Sequence, residues 1–297
     1  MLYLSNAIQA FLLEQQIRNN SKKTIEYYDA CLSKFMAYVE DMPLEQVTPQ
    51  LCKQYILSLR DRQLSTTSQQ TYVRGVRVFL SWCYQEKYMG EDISLLFRLP
   101  KAVKPVVDVL SADEILRLMS CFDRTTMIGQ RDMCMVSLML DSGLRLNEVV
   151  TMTWDHVRLN DGYIIVLGKG NKERMVPVGL SMRKMLSRYL SYFPLPLKIG
   201  DGVPLFRKGD MTPVTQAAIK KLFVRLKDKA KIPRLHPHLL RHTFATRYLE
   251  NGGDINSLQL ILGHTSLEMV KKYVHMNNAR MAVNSRSFGP LDNLPRR

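Results

Sequence analysis

His238-Leu-Leu-Arg-His242 carries two histidines four residues apart around an arginine, and two further histidine segments follow, Leu262-Gly-His264 and Tyr273-Val-His275. Positions i and i+4 share one face of a helix, so the segment reads as helical. The same spacing occurs in zinc-binding His-Glu-x-x-His helices. Here Leu239 stands where that motif has its glutamate, so hydrolytic zinc chemistry loses its general base, and Arg241 would repel a cation. The segment predicts a helix with chemistry on one face and no metal.

Upstream, Ser142-Gly-Leu-Arg-Leu-Asn-Glu148 interrupts a helical pattern over residues 130–152. Arg145 has an ordinary alternative, an ion pair with Glu148 three residues on. Two β-rich runs, 163–167 and 174–178, flank Gly168-Lys-Gly-Asn-Lys-Glu173, a hairpin tip. That tip lacks the spacing and the Ser/Thr of a nucleotide-binding loop. After it, helical signals dominate to about residue 283.

The first hundred residues read differently. Apolar positions recur at helical spacing over 4–17, Ser21 caps a second helix, Thr48 caps a third through Leu59, and Ser65-Thr-Thr-Ser68 opens a fourth. Arg98, Pro100, Lys101, Lys104 and Pro105 then break the pattern, and Ser111-Ala-Asp-Glu114 has the form of a capping box. The expected organisation is an all-helical domain over 1–97, a linker over 98–110, and a mixed α/β domain with a small sheet over 111–297. The fold class is mainly α (α+β).

The formal net charge of +15 implies an anionic partner, nucleic acid first and an anionic membrane surface second. Residues 1–100 hold 11 Lys+Arg against 10 Asp+Glu, so the electrostatic pull comes mainly from the second half. No stretch is long and apolar enough to span a bilayer, and the N-terminus lacks the regions of a signal peptide. The five scattered cysteines predict buried thiols in a reducing cytoplasm.

Together, two arginines, a lysine, histidines and a tyrosine suit a phosphodiester. Phosphoryl transfer spreads negative charge over nonbridging oxygens, which the arginine fork meets bidentately. A lysine or histidine can protonate the leaving oxygen. A tyrosine, with its ordinary pKa of about 10, needs a cationic setting or a base to attack near neutrality.

The order and local sequence of these segments closely resemble the tyrosine recombinases (the integrase family), especially the bacterial Xer type, from about residue 5 to 280. The shared motifs are Thr/Ser-Gly-Leu-Arg-x-x-Glu, Gly-Lys-Gly-x-Lys-x-Arg, His-x-Leu-Arg-His-x-Phe-Ala-Thr and Leu-Gly-His-x-Ser, with a tyrosine nine residues after that last histidine. The resemblance implies a SAM-like core-binding domain ahead of a catalytic domain. It implies that Arg145 and Arg241 clamp the scissile phosphate and that Lys169 protonates the departing 5′ oxygen, with Lys172 the alternative. It further implies that His238 assists proton movement, His264 hydrogen-bonds the phosphate and Tyr273 attacks. His242 is expected to be a packed helix residue, and His275 has no assigned role. None of the six catalytic positions departs from the family pattern.

The resemblance also implies a clamp on double-stranded DNA, a homotetramer on two DNA sites and no cofactor. Expected DNA contacts are Lys22, Lys23, Thr67, Arg74, Arg77, Lys172 and Arg174, with Arg74 and Arg77 sharing a helix face. Residues 276–288 are the expected docking segment for a neighbouring subunit. The alternatives are a type IB topoisomerase and a non-catalytic DNA-binding regulator.

Overall fold

The computed structural model describes residues 2–101, 108–168, 173–193, 200 and 202–263. The chain divides into two compact units, Met1–Pro105 and Val106–Arg297.

The first unit is built from α1 (Leu4–Ile17), α2 (Lys22–Val39), α3 (Pro49–Asp61) and α4 (Thr66–Gln85). Three of their starts are fixed by hydroxyl caps, in which Ser21, Thr48 and Ser65 accept from the backbone amides of Thr24, Leu51 and Ser68, each at 3.2 Å. Each of these caps was legible beforehand. The apolar stripes meet around Phe11, which is fully buried and packs edge-on against Tyr28, Phe79 and Trp82. Burying each such ring contributes about 1.5–3 kcal/mol.

The second unit comprises α5 (Ala112–Ser120), α6 (Met127–Asp141), α7 (Leu146–Val150), β1 (Val157–Arg158), β2 (Tyr163–Leu167), β3 (Glu173–Pro177), α8 (Leu180–Leu190), α9 (Gln216–Ala230), α10 (Pro237–Glu250) and α11 (Ile255–Leu262). The capping box at Ser111 and Glu114 is present. Helix α6 is buried on nearly every side from Met133 to Met139 and packs against α8 and α10, so it forms the axis of the unit. The sheet is antiparallel in the order β1-β2-β3, with Ile164 opposite Val176 and Ile165 opposite Met175. Ile164, Val166 and Val176 are buried beneath it.

Strand β3 starts one residue earlier than its apolar pattern indicated. Strand β1 was not anticipated, because two residues are too few to show a period. The helical signal expected to about residue 283 is observed as far as Leu262, and the remainder lies outside the described residues. Among the described residues, no helix is long and apolar enough to cross a membrane. All five cysteines are free thiols and four of them are buried.

Helices α2 and α4 approach closely at Gly75. A Cβ added there would lie 2.5 Å from the Cys31 Cβ and 2.8 Å from its Sγ. Gly75→Ala should therefore cost about 1–3 kcal/mol by overpacking, although alanine is the better helix former. Urea denaturation should show a lower midpoint at unchanged slope; an unchanged or higher midpoint would mean the two helices part without cost.

Candidate active site

Helix α6 ends at Asp141, and Gly143 then turns the chain with φ of +65°. A side chain there would meet the Phe244 ring at 2.4 Å and Leu262 at 2.8 Å, so both conformation and space require glycine. The turn delivers Arg145 to the N-cap of α7. Glu148, in the first turn of α7, reaches back: its Oε2 accepts from the Arg145 backbone amide at 2.8 Å, and its Oε1 from Arg145 Nη1 at 2.9 Å. Arg145 is thus held by one edge while its side chain stays 36% exposed. The ion pair anticipated for Arg145 is present.

Glu148 is buried and has a second guanidinium partner. Arg174, on β3, donates from Nη1 and Nη2 to its two oxygens at 3.0 and 2.9 Å, and from Nε to the Ile261 carbonyl at 2.8 Å. Burial alone would raise the Glu148 pKa. The hydrogen bonds from Arg174 and from the Arg145 amide outweigh it, and the carboxyl titrates below its ordinary range.

Arg241 comes from α10, which opens with Pro237 in its first turn. Its guanidinium is buried, with Nη1 donating to the Gly143 carbonyl at 2.6 Å and Nη2 to the Leu262 carbonyl at 2.7 Å. The two phosphate-binding candidates are therefore linked through backbone: Arg241 grips the carbonyl two residues before Arg145. Leu262 ends α11, where the final carbonyls lack helical partners, and Gly263 caps it in the left-handed conformation. His238 is exposed in the first turn of α10, and His242 is half-buried on the same helix.

Of the six predicted catalytic residues, the structure describes Arg145, His238 and Arg241. Lys169, His264 and Tyr273 lie outside the described residues, as do Lys172, His275 and residues 276–288. Among the expected DNA contacts, Lys22 and Lys23 are exposed in the first turn of α2, Thr67 in the first turn of α4, and Arg74 midway along α4. Arg77 does not share Arg74's exposure: it is half-buried, and its Nε donates to the Ser94 carbonyl at 2.8 Å. Arg174 is likewise engaged within the protein. It is turned inward because the buried Glu148 carboxylate demands a counter-charge. That partnership spans 26 residues of sequence, and no local pattern signals it.

A comparison with known families settles the kinship. The Phage integrase family profile matches residues 108–280, and the Phage integrase SAM-like domain matches residues 4–97. The chain belongs to the phage integrase family. Among its relatives is Tyrosine recombinase XerD of Staphylococcus epidermidis, 31% identical over 293 residues that cover 97% of this chain and 99% of the relative. The XerD of Staphylococcus aureus strain N315 is equally similar, at 31% over the same coverage. The fold is also that of the Tn1549 transposon integrase in complex with transposon right end DNA (TM-score 0.77, 19% identity, 95% of this chain and 98% of that one). It matches a lambda integrase dimer bound to a core site with a TM-score of 0.74 at 18% identity, covering 90% of this chain and 97% of that one. The chain is a site-specific tyrosine recombinase, a DNA breaking-rejoining enzyme.

Because the Glu148 pKa is lowered in the folded recombinase, its stabilisation is fully present above the unfolded value of about 4.3 and is lost as pH falls through the folded pKa. Glu148→Gln leaves Arg174 buried without its carboxylate and should lower stability by about 3–5 kcal/mol near neutrality. Denaturation across pH should show the gap between wild type and variant narrowing in acid. A gap independent of pH would assign the loss to packing instead.

Proposed function

We propose that the recombinase cuts and rejoins duplex DNA through a 3′-phosphotyrosyl intermediate formed on Tyr273. The observation that carries this reading is the arrangement of Arg145 and Arg241. One is tethered by a single edge to Glu148, and the other is anchored on the Gly143 carbonyl of the same turn. Two guanidinium groups fixed by one short backbone segment suit the nonbridging oxygens of a single phosphate.

In the reaction, the Tyr273 oxygen attacks phosphorus and passes its proton toward His238. The bond from phosphorus to the 5′ oxygen breaks, and Lys169 supplies the proton that oxygen needs; Lys172 is the alternative donor. His264 hydrogen-bonds the phosphate. The covalent ester conserves the energy of the broken phosphodiester, so a free 5′ hydroxyl of a partner strand can reverse the step. No metal or nucleotide enters the balance of bonds. Exchange of one strand pair and then the other passes through a Holliday junction, with four protomers on two DNA sites. A lambda integrase tetramer bound to a Holliday junction shares the fold and supports this assembly (TM-score 0.72, 18% identity, 90% of this chain and 78% of that one).

The exposed Lys22, Lys23, Thr67 and Arg74 would meet the DNA backbone from the helical domain, giving affinity without sequence information. The free thiols are compatible with work in the cytoplasm. The match to XerD along nearly the whole chain favours strand exchange over the relaxation chemistry of a topoisomerase.

The test is to incubate the protein with fragmented genomic DNA, trap covalent adducts with detergent and sequence the attached ends. Wild type should yield adducts at a defined site, also in excess chelator. Tyr273→Phe should bind that site and yield none. Absence of wild-type adducts would favour a binding regulator, and strict dependence on magnesium would count against the tyrosine mechanism. Separately, deleting every residue after 278 should weaken synapsis of two sites more than binding to one. Equal loss of both would remove the tail from assembly.

A further inference from the structure

Arg174 is bound within the protein through every nitrogen of its guanidinium group. Each of its three nitrogens donates within the protein, two to Glu148 and one to the Ile261 carbonyl, and its side chain is only 12% exposed. Glu148 in turn holds Arg145 at both backbone and side chain. One Glu148 oxygen, Oε1, accepts from Arg145 Nη1 and Arg174 Nη1 together. The two guanidinium groups therefore share an acceptor, and a shift of one alters the hold on the other.

The far side of Arg174 is equally constrained. Its Nε takes the Ile261 carbonyl, while Arg241 takes the next carbonyl, that of Leu262. Gly263 follows with φ of +62°, and a Cβ there would come within 3.1–3.2 Å of the Arg174 side chain. The end of α11 is thus gripped by two arginines at consecutive carbonyls, one residue short of His264 in sequence.

We propose that Arg174 is a positioning residue: it fixes the attitude of Arg145 through Glu148 and ties it to the end of α11, without itself touching DNA. This rests on the tyrosine recombinase chemistry proposed above. The role requires a fork. Lysine keeps the charge but is a point donor on a flexible stem, and cannot span two carboxylate oxygens and a carbonyl. In Arg174→Lys the charge balance around Glu148 survives while the geometry does not. Misplacing a phosphate-binding arginine by about 1 Å can cost about 100-fold in rate.

The experiment uses full-length protein and a nicked suicide duplex bearing the cleavage site mapped from wild-type adducts, in two forms. One carries the natural scissile phosphodiester. The other carries a methylphosphonate there, in which methyl replaces one nonbridging oxygen and removes the negative charge. Adduct formation is timed at saturating DNA. For Arg174→Lys the phosphodiester rate should fall about 100-fold, with site affinity within about threefold of wild type. On the neutral methylphosphonate the rate should stay within about threefold of wild type, because that substrate asks little of an arginine clamp. Both rates come from one preparation, so their ratio is independent of the fraction folded. Equal loss on both substrates would reduce Arg174 to a structural role, and unchanged phosphodiester cleavage would overturn the proposal. A main loss in site affinity would make Arg174 a DNA contact. If wild type itself forms no adduct on the phosphodiester, the recombination chemistry fails, and that result is read from wild type alone.

Discussion

A carboxylate taken out of water has to be neutralised where it lies, and Glu148 meets that demand with two guanidinium groups. Its partners come from α7 and β3, and through Arg174 it also reaches α11. Such a cluster contributes little net stability, because desolvating the ions offsets most of their attraction, and an apolar packing of the same volume would hold the fold as well. What the ions supply is direction. An arginine on the surface explores many rotamers and must give them up when it binds; Arg145 has given up much of that freedom already, since one edge of its fork is fixed. The Glu148 contact therefore sets how the remaining edge is presented.

Two left-handed glycines frame the same region. Gly143 lets the chain leave α6 and return as α7 within a few residues, and Gly263 closes α11. Next to each lies a carbonyl that Arg241 grips, that of Gly143 itself and that of Leu262. Helix ends carry unmatched carbonyls and partial negative charge, so they attract guanidinium groups. The α11 end uses Arg174 and Arg241 together. The consequence is mechanical: β3, the turn before α7, α10 and the α11 terminus cannot shift separately without breaking a buried hydrogen bond, and a polar atom orphaned there costs about 1–3 kcal/mol.

Much of this was visible in the sequence, and the reason is range. Capping bonds span three residues, so Ser21, Thr48, Ser65 and Ser111 announced themselves, and so did the Arg145–Glu148 pair. The Ser142-Gly143 break in a helical pattern correctly marked the end of α6. The fate of a basic residue is different, because it depends on whether a distant acceptor points at it. Arg174 finds Glu148 across 26 residues and Arg77 finds Ser94 across 17, and neither acceptor leaves any trace near its partner. The sequence therefore shows both arginines as basic residues and neither internal bond. Strand β1 escaped for a different reason, since two residues carry no period and its pairing with Ile164 and Tyr163 is a tertiary fact.

The same distinction bears on the formal charge. An excess of +15 counts every lysine and arginine alike, yet several arginines of the second unit are spent internally. Arg131 lies against Asp132, and Arg234 against Asp108 and Glu114. Arg207 is buried over the Phe193 ring, and Arg174 is bound to Glu148. An arginine paired with a carboxylate adds almost nothing to the long-range field, since its partner is already subtracted in the net charge, and groups bound in this way are not free to displace counterions from a phosphate. The salt dependence of binding counts only phosphates that are contacted. Under the proposed function, exposed groups such as Lys22, Lys23 and Arg74 would add to that slope even though their unit is nearly neutral, while Arg174, bound to Glu148, would not. Net charge thus reports the class of partner, and the hydrogen-bond partners of each arginine report which residues can touch it.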